Sequence, residues 1–188
     1  ENCTDNVLYL KAATSLHKLQ PTSQSAYFLY RLNASRGNVD EALSYISEAL
    51  AYTDLETETA ADYNYEAAAF CVKNGRNPQA ITFAEKAKEL SSSYAGKVYF
   101  LIGTIWGATS CGGDEISRRA PYWVAVDYME RAKAADASLA EDCNRMISQY
   151  RVYYPQTAEA FMYNLTDGQS YTVSCGGMRA TTTVRTQK

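Results

Sequence analysis

Two of the five cysteines in this 188-residue chain stand in the same tetrapeptide, Ser-Cys-Gly-Gly. Cys111 and Cys175 each precede a pair of glycines, and both lie outside any helical pattern. Two such thiols can form a disulfide, can contribute to a metal site, or can recur by chance. Residue type alone leaves these interpretations open, because each depends on how the rest of the chain positions the two loops.

Other residues that could do chemistry are scarce. The chain has one histidine, His17, and no Cys-x-x-Cys pair, so the usual ligand spacing of a closed zinc site is missing. The sequence suggests no nucleophile or carboxylate beside His17, and we expect a surface histidine. The acidic pairs Asp40-Glu41 and Asp114-Glu115 are typical of helix caps or solvated loops. We therefore predict no enzymatic activity, no metal site and no cofactor.

Composition and charge narrow the classes of partner. The formal net charge is −3 and the pI about 5.3, so no excess of basic residues points to nucleic acid. Apolar residues make up 46% of the chain, enough for a substantial core. The longest apolar stretch, residues 98–108, is too short to span a bilayer. A protein or peptide partner is the remaining expectation.

Small and apolar residues recur along the chain in a common frame. Three segments carry an Ala-x-x-x-apolar-x-x-Ala triplet, formed by Ala42, Ile46 and Ala49, by Ala80, Ala84 and Ala87, and by Ala125, Met129 and Ala132. Each triplet follows an earlier apolar segment, and the third is preceded by YFLIGTIW. This pattern resembles the tetratricopeptide repeat (TPR), a helix–turn–helix unit in which small residues lie where paired helices cross.

The resemblance covers about residues 23–139 and implies an all-α, TPR-like superhelix. We expect about three helix pairs, a leading helix, and a C-terminal cap helix ending near residue 154. The later segment SYTVSCGGMRATTTVRT alternates β-branched and polar residues around Gly176-Gly177, which indicates a small β-hairpin with a two-residue turn. We predict a repeat array over residues 1–154, with a short helix and hairpin packed on it over residues 155–188.

The leading helix carries an apolar stripe. Leu8, Ala12, Leu16 and Leu19 recur at helical spacing and predict one apolar face of this helix. Because a helix in this position lacks its own partner in the chain, half of its apolar cover is missing. We expect the chain to be the C-terminal fragment of a longer array. The alternative is that this helix is a divergent cap at the N-terminal end.

The third repeat contains an insertion between its two helices. From the small residue of the first helix to the first alanine of the second there are 12 residues in repeats one and two, but 22 between Gly103 and Ala125. We expect a long loop over residues 110–121. The first helices of all repeats end at one edge of the stack, and the hairpin reaches the same edge. Cys111 and Cys175 are then either a disulfide or two neighbouring thiols.

The other three cysteines have simpler interpretations. Cys71 and Cys143 fall on buried helix faces and are expected to be small core residues. Cys3 precedes the first helix, where it is either free or the partner of a cysteine in a removed segment.

In a TPR array the first helices of the pairs, here called the A helices, line the concave face. Aromatic residues occupy equivalent positions in the three A helices, and polar residues flank them. These candidates for a partner-binding groove are Gln24, Tyr27, Arg31, Asp62, Tyr65, Lys97, Phe100 and Thr104. A groove with this lining would hold an apolar or proline-containing peptide. The alternative is that the rings only pack between neighbouring helices.

The C-terminal part resembles a narrower group. The run SCGGDEISRRAPYWVAVDYMERAKAADASLAEDC, followed by YYPQTAEAFMYNLTDGQSYTVSCGGMRATTTVR, is similar to the C-terminal part of exported TPR proteins of Bacteroides-type bacteria. The resemblance implies a periplasmic, cell-surface or secreted location, where a disulfide persists, and supplies no catalytic residues.

Two functional hypotheses follow from these observations. The first is a non-enzymatic scaffold that binds a protein or peptide partner in the concave groove. The second is an assembly module that uses loop 110–121 and the C-terminal hairpin for its contacts.

Overall fold

The computed structural model describes residues 7–53 and 55–187. In this part of the chain nine α-helices precede one antiparallel β-hairpin. The helices are α1 (Val7–Leu19), α2 (Ser23–Ser35), α3 (Val39–Ala51), α4 (Thr57–Lys73), α5 (Asn77–Leu90), α6 (Ala95–Gly107), α7 (Glu115–Ala135), α8 (Ala140–Arg151) and α9 (Thr157–Met162). The strands are β1 (Ser170–Cys175) and β2 (Met178–Thr183).

Consecutive helices pack as pairs that stack along the chain. Helix α2 packs on α3, α4 on α5 and α6 on α7, and each pair contacts the next. Helix α1 lies against α2 at one end of the stack, and α8 lies against α7 at the other. The expected order of leading helix, helix pairs and cap helix is confirmed. The A helices are α2, α4 and α6, and we call the surface they form the A-helix face.

Small residues lie where the helices of a pair cross. Ala42, Ala80 and Ala125, one from each pair, are fully buried. Gly103 in α6 shows how close the third pair is, since a Cβ atom there would lie 2.9 Å from Met129 Cε and 3.2 Å from the Ala125 carbonyl oxygen. A larger side chain would push the two helices apart, because protein interiors are close-packed.

The expected loop over residues 110–121 is largely wrong. The connection between α6 and α7 ends at Asp114, whose carboxylate caps α7 by accepting a hydrogen bond from the Ser117 N–H at 2.7 Å. The inserted residues that follow form about the first two turns of α7. They are helical because Ile116 and Ala120 lie four residues apart on one face, and both are buried. The insertion therefore lengthens a helix.

The predicted apolar stripe of helix α1 faces away from the described array. Leu8, Leu16 and Leu19 are 70%, 62% and 80% exposed, and Ala12 is exposed as well. His17, predicted as a surface residue, is only 6% exposed and faces the array instead. Its two ring nitrogens contact side chains of α2 and α3, and these contacts fix the rotation of α1 so that the leucines point outward.

The C-terminal hairpin has the predicted two-residue turn. Cys175 pairs with Met178, and Gly176 and Gly177 between them have φ angles of 59° and 74°. These left-handed values are the ones that such a turn requires. One face of the hairpin packs on α7 and buries Val173 and Met178. This packing supports a hairpin that would be marginally stable in isolation.

Candidate functional site

The A-helix face carries a cluster of aromatic and charged side chains between α2 and α4. The rings of Tyr27 and Tyr63 stack with centroids 3.8 Å apart and planes within 4° of parallel. The Tyr27 hydroxyl donates a hydrogen bond to Glu66 at 2.5 Å, and Arg31 lies 3.3 Å from the same carboxylate. Burial and the bond to Glu66 raise the pKa of Tyr27. Two predicted groove residues thus meet, with partners that sequence reasoning missed.

Two clefts open beside this cluster. One, of about 430 Å³, lies between the C-terminal halves of α2 and α4 and is lined by Tyr30, Arg31, Ala34, Ser35, Glu66, Ala69, Phe70 and Lys73. The other, of about 420 Å³, lies at the N-terminal ends of the same helices, where Gln24 and Tyr63 form part of its wall. Charged groups of both signs and aromatic rings line the first cleft, a combination suited to a peptide segment.

A second cluster joins α4 and α6 around Tyr94, which lies in the short 3₁₀ turn before α6. The Tyr94 hydroxyl donates a hydrogen bond to Asp62, the main cause that raises the pKa of Tyr94 to about 12. The ring centroids of Tyr94 and Tyr65 are 5.2 Å apart. The Lys97 ammonium lies 5.4 Å from the Tyr94 ring centroid. Three predicted residues therefore meet on a tyrosine outside the helical frame.

The other three predicted groove residues join neither cluster, and of these Gln24 lines only the cleft at the N-terminal ends of α2 and α4. Phe100 is half-buried against the core. Thr104 donates a hydrogen bond to the Leu101 carbonyl at 2.7 Å within its own helix. The aromatic side chains of the A helices thus form two separate clusters instead of one continuous row. Much of the ring surface of Tyr27 and Tyr65 is used in packing between helices.

A disulfide joins the α6–α7 connection to the hairpin. Cys111 and Cys175 are bonded, with Cα atoms 5.7 Å apart and a sequence separation of 64 residues. The hairpin turn also reaches the start of α5, since a Cβ atom at Gly177 would lie 3.2 Å from Pro78. The sequence left open whether these cysteines form a disulfide or are two neighbouring thiols, and in the structure they form a disulfide. The hairpin spans the edge of the second and third repeats.

Polar contacts hold the other end of the hairpin on α7. Asp127 accepts hydrogen bonds from Arg185 and, at 2.5 Å, from the Thr182 hydroxyl. Arg185 also donates to the Trp123 carbonyl at 3.1 Å, and the ring of Tyr171 meets the Trp123 ring edge-on at 5.5 Å. The side chains of Asp127 and Arg185 are 21% and 29% exposed, so this ion pair is partly shielded from water.

His17 links three helices at the other end of the array. Its Nδ1 lies 2.6 Å from the Ser25 hydroxyl, and its Nε2 lies 2.9 Å from Glu48. Serine, histidine and carboxylate in a row are the parts of a hydrolytic triad. Here the Ser25 hydroxyl also bonds to Thr22 in the capping box that begins α2. The three side chains therefore act as a structural link between α1, α2 and α3.

Comparisons with known proteins bear on the architecture. No protein family matches the sequence, and no curated protein matches it. The structure is similar to the crystal structure of MamA, with a TM-score of 0.51 and 14% sequence identity over 77% of this chain and 81% of that chain. The fold is TPR-like. Along the described residues, no helix combines the length and the apolar character needed to cross a bilayer.

Two free thiols lie inside the described part of this TPR-like array. Cys71 and Cys143 are buried, as predicted. Burial raises the pKa of Cys71 to about 11 and also raises that of Cys143. A protonated, buried thiol is a poor nucleophile, so both residues serve packing. Cys3 lies outside the described residues.

Proposed function

We propose that this chain is a non-enzymatic scaffold that binds a peptide segment of a protein partner on its A-helix face, in the cleft between α2 and α4. The lining of that cleft carries the proposal. Arg31, Lys73 and Glu66 supply charge, and Phe70 supplies aromatic surface, on two consecutive A helices. Such a surface offers charge-assisted hydrogen bonds and apolar contact to the same extended segment.

Solvent exposure favours this cleft over the rest of the A-helix face. The Arg31 side chain is 61% exposed although it lies 3.3 Å from Glu66, so some of its five N–H donors point to solvent. Lys73, in the last turn of α4, is exposed. Tyr65 and Phe100, by contrast, are half-buried. Replacing them would test packing as much as binding.

Selection of a random peptide library against the full chain tests the proposal. The affinities of the selected peptides are then measured by calorimetry on the unmodified chain and on the double variant Arg31→Ala/Lys73→Ala. We expect about a tenfold loss, because two exposed charged contacts are removed at about 0.5–1 kcal/mol each.

Lys86→Ala provides the matched control. Lys86 is 56% exposed and pairs with Glu89, much as Arg31 pairs with Glu66, but it lies on α5, outside the A-helix face. Its replacement should leave the peptide affinities unchanged. An equal loss of peptide affinity in Lys86→Ala and in the double variant, or no loss in either, would contradict binding in this cleft.

Assembly through the C-terminal edge is the second candidate function. Exposed apolar side chains follow α8 and occur at the C-terminal end of α9, namely Val152, Tyr153, Phe161, Met162 and Tyr163. Large apolar side chains that are exposed in one short part of the chain favour a contact surface. The double variant Phe161→Ser/Met162→Ser separates the two candidates. Both functions predict that this variant binds the selected peptides with unchanged affinity. Only the assembly function predicts that it abolishes the association of copies of the chain in sedimentation measurements.

An extracytoplasmic location belongs to the same proposal. The disulfide between Cys111 and Cys175 supports it, because such bonds persist in oxidising compartments and are rare in the cytosol. Alkylation of intact native cells before lysis should leave these two thiols unlabelled. Labelling of both would contradict the location.

A further inference from the structure

A cleft of about 520 Å³ lies at the C-terminal edge of the molecule, apart from the A-helix face. It is lined by Arg151, Tyr154, Asp167, Arg185, Thr186 and Gln187. The chain after β2 is fixed at this place by two hydrogen bonds of Gln187. Its side chain donates to the Val152 carbonyl at 2.9 Å, and its backbone N–H donates to the Pro155 carbonyl at 2.8 Å. The walls of the cleft are therefore built into the fold.

Tyr154 contributes a polar group that the fold leaves unsatisfied. The residue is 6% exposed, and no described residue accepts a hydrogen bond from its hydroxyl, although the Arg151 guanidinium lies close enough to interact with the oxygen. Burial raises the pKa of Tyr154 and outweighs the lowering effects of nearby Arg185 and Arg151, so the hydroxyl keeps its proton at neutral pH. A buried O–H donor without an acceptor is unfavourable. The hydroxyl is thus placed for an acceptor that the described chain does not supply.

Arg185 adds further donors in a fixed position. Its guanidinium is held by Asp127, by the Trp123 carbonyl at 3.1 Å and by the Thr182 hydroxyl at 3.4 Å. A guanidinium has five N–H donors, so at least two remain. Because the anchored group is only 29% exposed, little ordering remains to be done when it binds a ligand.

The charged neighbours tilt the balance of the cleft toward donors. Arg151 is 61% exposed, and its ion-pair partner Glu130 is 4.0 Å away, beyond hydrogen-bond distance. Asp167 is the carboxylate in the cleft wall, and it already accepts hydrogen bonds from the Thr186 N–H at 2.8 Å and from the Thr186 hydroxyl at 3.3 Å. The lining thus holds two arginines and one carboxylate that is already hydrogen-bonded, so its donors exceed its free acceptors even though Asp127 neutralises the charge of Arg185.

Apolar surface lies directly beside these donors. Tyr154 and Gln187 also line a neighbouring cleft. Val152 and Tyr153 belong to the lining of that cleft and are 67% and 50% exposed. Tyr153 stacks on Tyr122 with ring centroids 4.3 Å apart, so its ring is held in place. An apolar side chain next to an acceptor group would rest on this surface.

We propose that this cleft binds the C-terminal carboxylate of a protein partner whose last side chain is apolar. The carboxylate accepts hydrogen bonds from the Tyr154 hydroxyl and from the guanidinium groups of Arg151 and Arg185. The apolar side chain lies on Val152 and Tyr153. A carboxylate matches guanidinium donors in both charge and planar geometry. This site is separate from the A-helix cleft and does not depend on it.

Titration of the full chain with N-acetyl-glycyl-phenylalanine tests the proposal. Its free carboxylate supplies the acceptor and its ring the apolar group, and the corresponding C-terminal amide is the matched ligand without charge. Signals of the arginine Nε–H groups and of the backbone N–H groups of residues 185–187 are followed by NMR. We expect the acid to bind at least tenfold tighter than the amide. Sodium acetate should shift the same signals at least tenfold more weakly than the acid.

Two variants assign the binding to named groups. Arg151→Gln should weaken the acid at least fivefold, whereas Arg145→Gln, which removes an equally exposed arginine of α8 that is paired with Asp142, should not change it. Tyr154→Phe removes only the unpartnered hydroxyl. It should weaken the acid about threefold while the urea midpoint of unfolding stays the same or rises.

Several results would overturn the proposal. Equal affinities of the acid and the amide would show that no carboxylate is recognised. Equal losses in Arg151→Gln and Arg145→Gln would reduce the effect to general charge. Acetate that binds as tightly as the acid would assign the cleft to free small anions. A lower urea midpoint in Tyr154→Phe would show that solvent already satisfies the hydroxyl.

Discussion

At the N-terminal end of the array, hydrogen bonds of His17 hold α1 on α2 and α3, and Leu16 and Leu19 stay exposed. At the C-terminal end, the hairpin, the disulfide and the pair of Asp127 and Arg185 close over α7. Both sets of contacts lie outside the repeat pattern, at the two ends of the stack that the described residues form.

The two closures differ in how far their contacts reach along the chain. The two hydrogen-bond partners of His17 are separated from it by 8 and 31 positions in the sequence. Asp127 and Arg185 are 58 positions apart, and the two bonded cysteines are 64 apart. Of these contacts only the disulfide persists in the unfolded chain, and a cross-link that closes a long loop there removes much conformational freedom. We therefore expect the C-terminal closure to contribute more stability than the N-terminal one.

Removing the disulfide should give the largest effect. In the double variant Cys111→Ser/Cys175→Ser the free energy of unfolding should fall by about 4 kcal/mol, as the chain-entropy relation gives for a loop of 64 residues. Urea unfolding followed by circular dichroism measures the loss, and the unmodified chain under reducing conditions should match it. A loss below about 1 kcal/mol would mean that side-chain contacts alone hold the hairpin.

Breaking the ion pair on α7 should cost less. The variant Asp127→Ala removes the acceptor that Arg185 and Thr182 share. We expect the free energy of unfolding, measured in the same urea experiment, to fall by about 2 kcal/mol. Asp142→Ala is the control, because its pair with Arg145 is exposed and should contribute less than about 0.5 kcal/mol. Similar losses in both variants would show that shielding by the hairpin adds nothing.

The N-terminal end should respond least. His17→Ala removes both hydrogen bonds of the link and should lower the free energy of unfolding by about 1–2 kcal/mol. Leu19→Ala, at an 80% exposed position on the same helix, should change it by less than about 0.5 kcal/mol. If Leu19→Ala were the more damaging change, Leu19 would pack against the array, and the outward orientation of the leucines would be wrong.

The repeat pattern was predictable because it depends on local spacing. The spacing of Ala42, Ala80 and Ala125 in the sequence marks where the helices of each pair cross, and all three residues are fully buried. The start of α7 was not predictable from the length of the insertion, since residue counting cannot tell a loop from extra helical turns. Ile116 and Ala120 gave the available signal, an apolar pair four residues apart. Read with Asp114 as the cap, that signal places the helix correctly.

The candidate sites were predictable only in part. Helical spacing placed Tyr27 and Arg31 on the A-helix face, but Glu66 came into contact with them because α2 and α4 lie side by side. Tyr94 lies in a turn before α6, where no helical frame points to it. The unsatisfied hydroxyl of Tyr154 is a property of its surroundings, so no sequence pattern could have indicated it.

By itself, the sequence determined the helix pairs and the hairpin turn, because both follow from local rules. Helix pairs need small residues at a fixed spacing, and a two-residue turn needs residues that accept positive φ, which Gly176 and Gly177 supply. Only the tertiary structure decided the disulfide, the rotation of α1 and the cleft at Tyr154. Each depends on distances between groups far apart in the chain, and those distances exist only once the helices have stacked.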